Sequence, residues 1–126
     1  MTPPNDPNPA DFWQALDQLV ATSQIVIDRP KGSRHPLYPD NIYPLDYGYL
    51  KDTTATDGGG IDIWRGSQPT GDINAVICTV DLVKRDSEIK ILIGCTPAEV
   101  ATVHKIYNTF APMKGILIEK PCETAI

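Results

Sequence analysis

The sequence predicts a small α+β domain, mainly β, in which a curled sheet or barrel has a helix near each end. Five or six short segments rich in β-branched residues lie between clusters of Gly, Pro, Asp and Asn, as is typical of strands and turns. Two segments near the chain ends instead place apolar residues at helical spacing. The 126 residues suffice for one compact domain and are too few for two ordinary ones.

The N-terminal segment divides into an arm and a helix. Residues 1–10 contain four prolines among Asn and Asp, so we expect a flexible arm there and a single domain over residues 11–126. Asn8 or Asp11 can cap the helix that follows, which should end near Ser23. Its apolar positions are Phe12, Trp13, Leu16, Leu19 and Val20.

Strands are predicted through the middle of the chain, and a second helix follows them. The strand segments are residues 24–29, 42–50, 61–64, 73–83, 88–93 and 115–118. Thr96 and Glu99 form a capping box with Pro97 at the first helical position, which predicts the start of the second helix. Val100 and Tyr107 belong to its apolar stripe.

Composition narrows the classes of partner. With 11 Lys and Arg against 16 Asp and Glu, the net charge is −5, which disfavours binding to a nucleic-acid backbone. No apolar run approaches the roughly 18 residues that a membrane span needs, and the N-terminus lacks the basic residues of a secretory signal. We therefore expect a cytoplasmic protein that binds neither nucleic acid nor membrane. The cysteines Cys78, Cys95 and Cys122 lack CxxC spacing and are expected to be reduced.

A glycine run lies between two aspartates. Asp57 and Asp62 flank Gly58–Gly60, which lets the backbone turn tightly and bring both carboxylates to one side, as suits a hard cation. A solvated loop with an Asp turn is the alternative. In the strand that follows, Ile61 and Ile63 should share the core face, which puts Asp62 on the opposite face with Trp64.

Three further groups could bind an anion, and each has a plainer structural interpretation. Tyr43, Tyr47 and Tyr49 offer phenolic donors or ordinary strand packing. The turn at residues 31–35 offers two cations, Lys31 and Arg34, with the His35 imidazole and backbone donors, or is simply solvated. The third group lies between two apolar strands and consists of Asp81, Glu88 and Lys90. It is either a cluster of carboxylates around a lysine or an ordinary surface hairpin.

Taken in order, these motifs resemble the soluble family I inorganic pyrophosphatases. The matching motifs are the strand at residues 25–30, the turn at 31–34, Tyr43-Pro44-x-x-Tyr47-Gly48-Tyr49, and Asp57-Gly58-x-x-Ile61-Asp62. The resemblance covers roughly residues 25–118 and is weaker after Asp62. It implies a five-stranded OB-type β-barrel that hydrolyses pyrophosphate with Mg²⁺ and assembles into a homo-oligomer.

The resemblance also implies roles for individual residues. The implied metal ligands are Asp57, Asp62, Asp81, Glu88 and Asp28. The implied substrate-binding residues are Arg34, Tyr43, Lys90 and Tyr107. Catalytic roles fall on Tyr47 and Lys90.

Departures from the family pattern affect catalysis. Gly59 stands where the family has the aspartate that deprotonates the attacking water, and Asp46 is a candidate replacement. Pro36, Tyr38 and Asn108 stand where the family has charged residues, and a hairpin that carries an arginine is absent. We therefore expect magnesium-dependent hydrolysis of pyrophosphate that is weakened by the missing base. The alternative is a non-catalytic module on the same scaffold that binds phosphate, another anion or a protein.

Overall fold

The computed structural model describes residues 7–109 and 112–122, which form one six-stranded sheet and two helices. The elements are α1 (Pro9–Ala21), β1 (Ile25–Arg29), β2 (Asp46–Leu50), β3 (Ile61–Arg65), β4 (Ile73–Asp81), β5 (Asp86–Ile93), α2 (Pro97–Thr109) and β6 (Met113–Glu119). The strand order is β1-β2-β3-β5-β4-β6, and only the β3 and β5 pair is parallel. The α+β class, mainly β, is confirmed.

The closed five-stranded barrel is wrong, because the sheet is open and has six strands. β6 pairs with β4, which is the strand that pairs with β5 on its other side. Within the described residues, β1 and β6 are the two edges and do not pair with each other. The sheet therefore carries a sixth strand instead of closing on itself.

Element boundaries follow local chemistry. The Asn8 side chain accepts a hydrogen bond from the Ala10 backbone N–H, so α1 begins at Pro9, inside the segment 1–10 that the sequence assigned to an arm; residues 1–6 lie outside the described part. Ile42 forms only an isolated bridge with Arg34, and β2 begins later than predicted because Pro44 interrupts the segment.

The two helices pack on opposite faces of the sheet. The cluster on the α1 side contains Trp13, Leu16, Val20, Leu50, Ile63, Ile73, Val76, Ile91 and Ile93. The cluster on the α2 side contains Leu45, Trp64, Ala75, Ile77, Leu92, Cys95, Val100, Val103 and Tyr107. The middle strands β3, β4 and β5 thus bury residues in two different cores, which accounts for the apolar runs in β4 and β5.

The capping box of α2 forms as predicted. Thr96 Oγ1 accepts from the Glu99 backbone N–H at 3.2 Å, and Glu99 Oε1 accepts from the Thr96 N–H at 2.8 Å.

Neither α1 nor α2, the helices of the described residues, has the length and hydrophobicity that a membrane-spanning helix requires.

Part of the α1 side remains uncovered. Four exposed apolar side chains belong to this face by strand alternation: Val80, Ile89, Ile116 and Ile118. They lie on β4, β5 and β6, beyond the cluster in which the α1 side chains pack.

Candidate functional site

The α2 side of the sheet changes from apolar to polar along each strand. In β3, Trp64 packs in the α2 cluster, and Asp62 lies two residues before it on the same face. In β5, Leu92 packs in the α2 cluster, and Lys90 lies two residues before it on the same face. The predicted placement of Asp62 with Trp64, opposite Ile63, is confirmed because Ile63 packs on the α1 side.

Beyond the α2 cluster, the polar side chains surround an open cavity of about 240 Å³. Its lining consists of Asp28, Arg29, His35, Tyr43, Tyr47, Asp57, Asp62, Thr79, Asp81, Lys84, Asp86, Glu88, Lys90 and Met113. Six of these residues are carboxylates and three are Lys or Arg, so the lining has a formal excess of three negative charges.

Lys90 links two of the carboxylates. Its Nζ lies 2.6 Å from Asp62 Oδ2 and 2.8 Å from Glu88 Oε2, and the residue is only 7% exposed. Burial acts to lower the pKa of Lys90, but its electrostatic interactions with Tyr107 and Asp62 and its hydrogen bonds to the two carboxylates outweigh burial and raise it. Lys90 therefore stays charged.

Tyr47 is a neutral hydrogen-bonding group. Lys90 Nζ donates to its hydroxyl at 3.4 Å. Burial, followed by the influence of Tyr107 and Asp62, strongly raises the pKa of Tyr47. Its phenol keeps its proton at physiological pH, so it can donate a hydrogen bond to an anion but cannot serve as a base.

All five predicted metal ligands line the cavity: Asp57, Asp62, Asp81, Glu88 and Asp28. Some of their oxygens already have partners, since Asp81 Oδ1 accepts from the Val83 and Lys84 N–H groups. Within the described residues, no three His, Cys, Asp or Glu side chains are grouped closely enough to hold an ion by themselves.

Two predicted substrate residues do not line the cavity. Arg34 is exposed, and its Nη1 donates to the Pro39 carbonyl at 3.0 Å. The Tyr107 hydroxyl accepts from Trp64 Nε1 at 3.0 Å inside the α2 cluster, where burial raises its pKa to about 12. Tyr107 thus contributes to the core beneath the site.

The other departures from the family pattern also have definite places. Gly59 donates its N–H to Asp57 Oδ1, beside the cavity. The Asn108 side-chain amide donates a hydrogen bond to the Gly115 carbonyl and accepts one from the Gly115 N–H in β6. Both ends of this amide are therefore engaged with the backbone. Asp46 Oδ1 accepts from the Lys31 N–H, and Asp46 does not line the cavity.

Sequence reasoning missed several lining residues. No role was predicted for Arg29, Thr79, Lys84, Asp86 and Met113, whereas the His35 imidazole, one of the phosphate donors that the turn at residues 31–35 could present, lies in the lining. Thr79 and Asp81 follow Ile77 at alternate positions of β4, so the strand pattern carried a signal for their shared face.

Comparisons with known proteins agree with the fold. No protein-family model and no curated protein sequence matches the chain. The structure is similar to that of an inorganic pyrophosphatase from the pathogenic bacterium Helicobacter pylori, with a TM-score of 0.53 and 15% sequence identity. The match covers 76% of this chain and 80% of the other. At this identity the similarity shows the fold: the chain has a pyrophosphatase-like scaffold.

Proposed function

We propose that this protein hydrolyses inorganic pyrophosphate with Mg²⁺, at a rate reduced by the absence of a carboxylate at Gly59. One observation carries the proposal: a small cavity gathers six carboxylates together with Lys90, Tyr43 and Tyr47. Its excess of negative charge would repel a bare polyanion, whereas divalent cations would reverse the sign of the charge that the substrate meets. Metal-dependent binding therefore fits this lining better than binding of the free anion.

The donors fit Mg²⁺ in kind. Mg²⁺ prefers oxygen ligands and is usually held by one or two carboxylates, with waters and substrate phosphates completing its shell. Asp57 and Asp62 would hold the ion, and Asp81, Glu88 and Asp28 supply further carboxylates around the same cavity. When bound, Mg²⁺ neutralises phosphate oxygens and makes water easier to deprotonate.

The chain's own side chains would position the substrate. Lys90 is held by Asp62 and Glu88 and supplies a fixed positive charge. Tyr47 and Tyr43 line the same cavity and supply neutral O–H donors. Such prearranged donors need little reorganisation as charge develops on the phosphates.

A non-catalytic module is the second candidate. Three features favour it: Gly59 carries no base, while Arg34 and Asn108 bond to backbone groups instead of the cavity. Such a module would bind pyrophosphate or phosphate with Mg²⁺ and release no product.

Self-association and a cytoplasmic location stay predictions. The exposed apolar side chains of β4, β5 and β6 offer a surface for a second copy. Light scattering at several protein concentrations tests this, and a monomer throughout would contradict it.

Phosphate release from pyrophosphate, measured with Mg²⁺ and with excess chelator, tests the proposed function. We expect turnover that requires the metal and falls at least about tenfold in Asp62→Asn. Asp52→Asn is the matched control, because Asp52 is exposed, does not line the cavity, and has a φ of 62° that asparagine also accepts.

Three results would decide between the candidates. Metal-dependent release that is lost in Asp62→Asn and kept in Asp52→Asn supports hydrolysis. Tight metal-dependent binding with no release supports the non-catalytic module. Release that is equal in chelator, or equal in both variants, contradicts a metal-dependent site in this cavity.

A further inference from the structure

A β-bulge turns the end of β1 toward the cavity. Ile27 pairs with Gly48 and Arg29 pairs with Tyr47, so Asp28 is an extra residue without a partner in β2. In a regular strand Arg29 would share the face of Ile27, which packs on the α1 side. The bulge instead places the Arg29 side chain on the same face of the sheet as Tyr47, where both residues line the cavity.

Arg29 is a cation without an anionic partner. Within the described residues it forms no salt bridge, whereas Lys90 forms two in the same cavity. Its Nη1 donates to the Tyr43 hydroxyl at 2.9 Å, and the guanidinium carbon lies 5.7 Å from the centre of the Tyr43 ring. A guanidinium has five N–H donors, so most of its donor capacity remains free.

The neighbours of Arg29 add further donors. The Tyr43 hydroxyl accepts from Arg29 and keeps its own proton to donate. His35 Nδ1 accepts from the Leu37 and Tyr38 N–H groups, which leaves the ring proton on Nε2. The His35 ring lies 6.3 Å from the Tyr43 ring at an angle of 7°.

We propose that Arg29 and Tyr43 form a phosphate-binding pair that anchors one phosphate group of a diphosphate ligand. This inference rests on the proposed function and adds a residue with no counterpart among the sequence-predicted ligands. Lys90 is already paired with Asp62 and Glu88, whereas Arg29 and Lys84 form no salt bridge within the described residues. Of these two cations, Arg29 is the one whose guanidinium is held beside a phenol O–H, by its hydrogen bond to Tyr43. Guanidinium and phosphate form strong, charge-assisted and often bidentate hydrogen bonds.

The two arginines near the site provide a matched test. Methylenediphosphonate, a pyrophosphate analogue that is not hydrolysed, is titrated calorimetrically into the protein with Mg²⁺. We expect Arg29→Gln to weaken binding by about tenfold or more, as for loss of hydrogen bonds to a charged group. Arg34→Gln should change the dissociation constant less than about twofold, because Arg34 bonds to the Pro39 carbonyl outside the cavity.

A second variant covers the case in which Arg29→Gln fails to fold. Tyr43→Phe keeps the ring that packs against Tyr47 and Trp64 and removes only the hydroxyl. We expect it to weaken analogue binding by about threefold to tenfold while the circular dichroism spectrum stays that of the wild type.

The outcomes separate this inference from the proposed function. If the wild type binds the analogue with Mg²⁺ but both Arg29→Gln and Tyr43→Phe bind it equally well, the pair is not an anion site, although the metal-dependent function stands. Equal losses in Arg29→Gln and Arg34→Gln would also overturn the pairing. If the wild type does not bind the analogue, both proposals fall.

Discussion

The α2 side of the sheet has an apolar end, where the α2 cluster packs, and a charged end, which lines the cavity. Both ends are formed by the same strands. On β5, Leu92 is 0% exposed and Lys90 is 7% exposed, and the two side chains lie two residues apart. Leu92 packs among the residues that α2 covers, whereas Lys90 contacts Asp62 and Glu88 at the cavity.

At Leu92 and Lys90 the difference between these ends lies in their partners and not in their burial. Within the described residues, every buried side-chain nitrogen and oxygen has a hydrogen-bond partner. Lys90 at the charged end is therefore satisfied by its own ion pairs, and six carboxylate residues line the cavity around it. Changes at the charged end should alter function more than folding, and changes at the apolar end should do the reverse.

The largest expected effect is a gain of rate at the charged end. Gly59→Asp would supply the missing carboxylate next to Asp57, and general bases contribute about 10²- to 10⁴-fold. A Cβ at Gly59 would lie 3.3 Å from Asp57 Oδ1, an exposed side chain that can move slightly. We expect pyrophosphate hydrolysis with Mg²⁺ to rise at least about 10²-fold.

Gly59→Ala is the control for this gain. It adds the same Cβ without a carboxylate, so its rate should stay near that of the wild type. If a folded Gly59→Asp variant shows no gain in rate, the carboxylates and Lys90 of the cavity are not positioned for catalysis.

A smaller effect, on stability, is expected at the apolar end. Leu92→Ala should lower the free energy of unfolding by about 2–5 kcal/mol, because it removes a fully buried side chain from the α2 cluster. Glu88→Gln, on the same face of β5, should lower it by no more than about 1 kcal/mol, because Lys90 retains Asp62.

Urea denaturation of both variants measures this contrast. Losses of similar size would mean that the ion pairs of Lys90 hold the fold together as much as the core does. The distinction between the two ends would then fail.

Much of the fold could be predicted because its signals are local. The Thr96 and Glu99 capping box depends on residues close in sequence, and α2 begins where it predicts. For α1 the sequence offered Asn8 or Asp11 as the cap, and Asn8 is the residue that caps the helix. Strand alternation likewise placed Asp62 with Trp64. The openness of the sheet depends on which strands become edges, and no local pattern encodes that choice.

The site was only partly predictable, for the same reason. The five acids and Lys90 that the family resemblance selected all line the cavity. The role proposed for Arg29 depends on a bulge, which exists only in the register between β1 and β2. Gly48 was a weak signal of that register, because a Cβ there would overlap the Val26 carbonyl of the paired strand.

We expect a divalent cation to bind in the cavity beside a phosphate group. Crystals grown with Mn²⁺ and methylenediphosphonate test it most directly, because the anomalous signal of Mn²⁺ locates the ion. We expect a peak at about 2.1 Å from oxygens of Asp57 or Asp62 and from a phosphonate oxygen, with Arg29 contacting the analogue. A cavity that contains neither ion nor analogue under these conditions, with Lys90 still bound to Asp62 and Glu88, would contradict it.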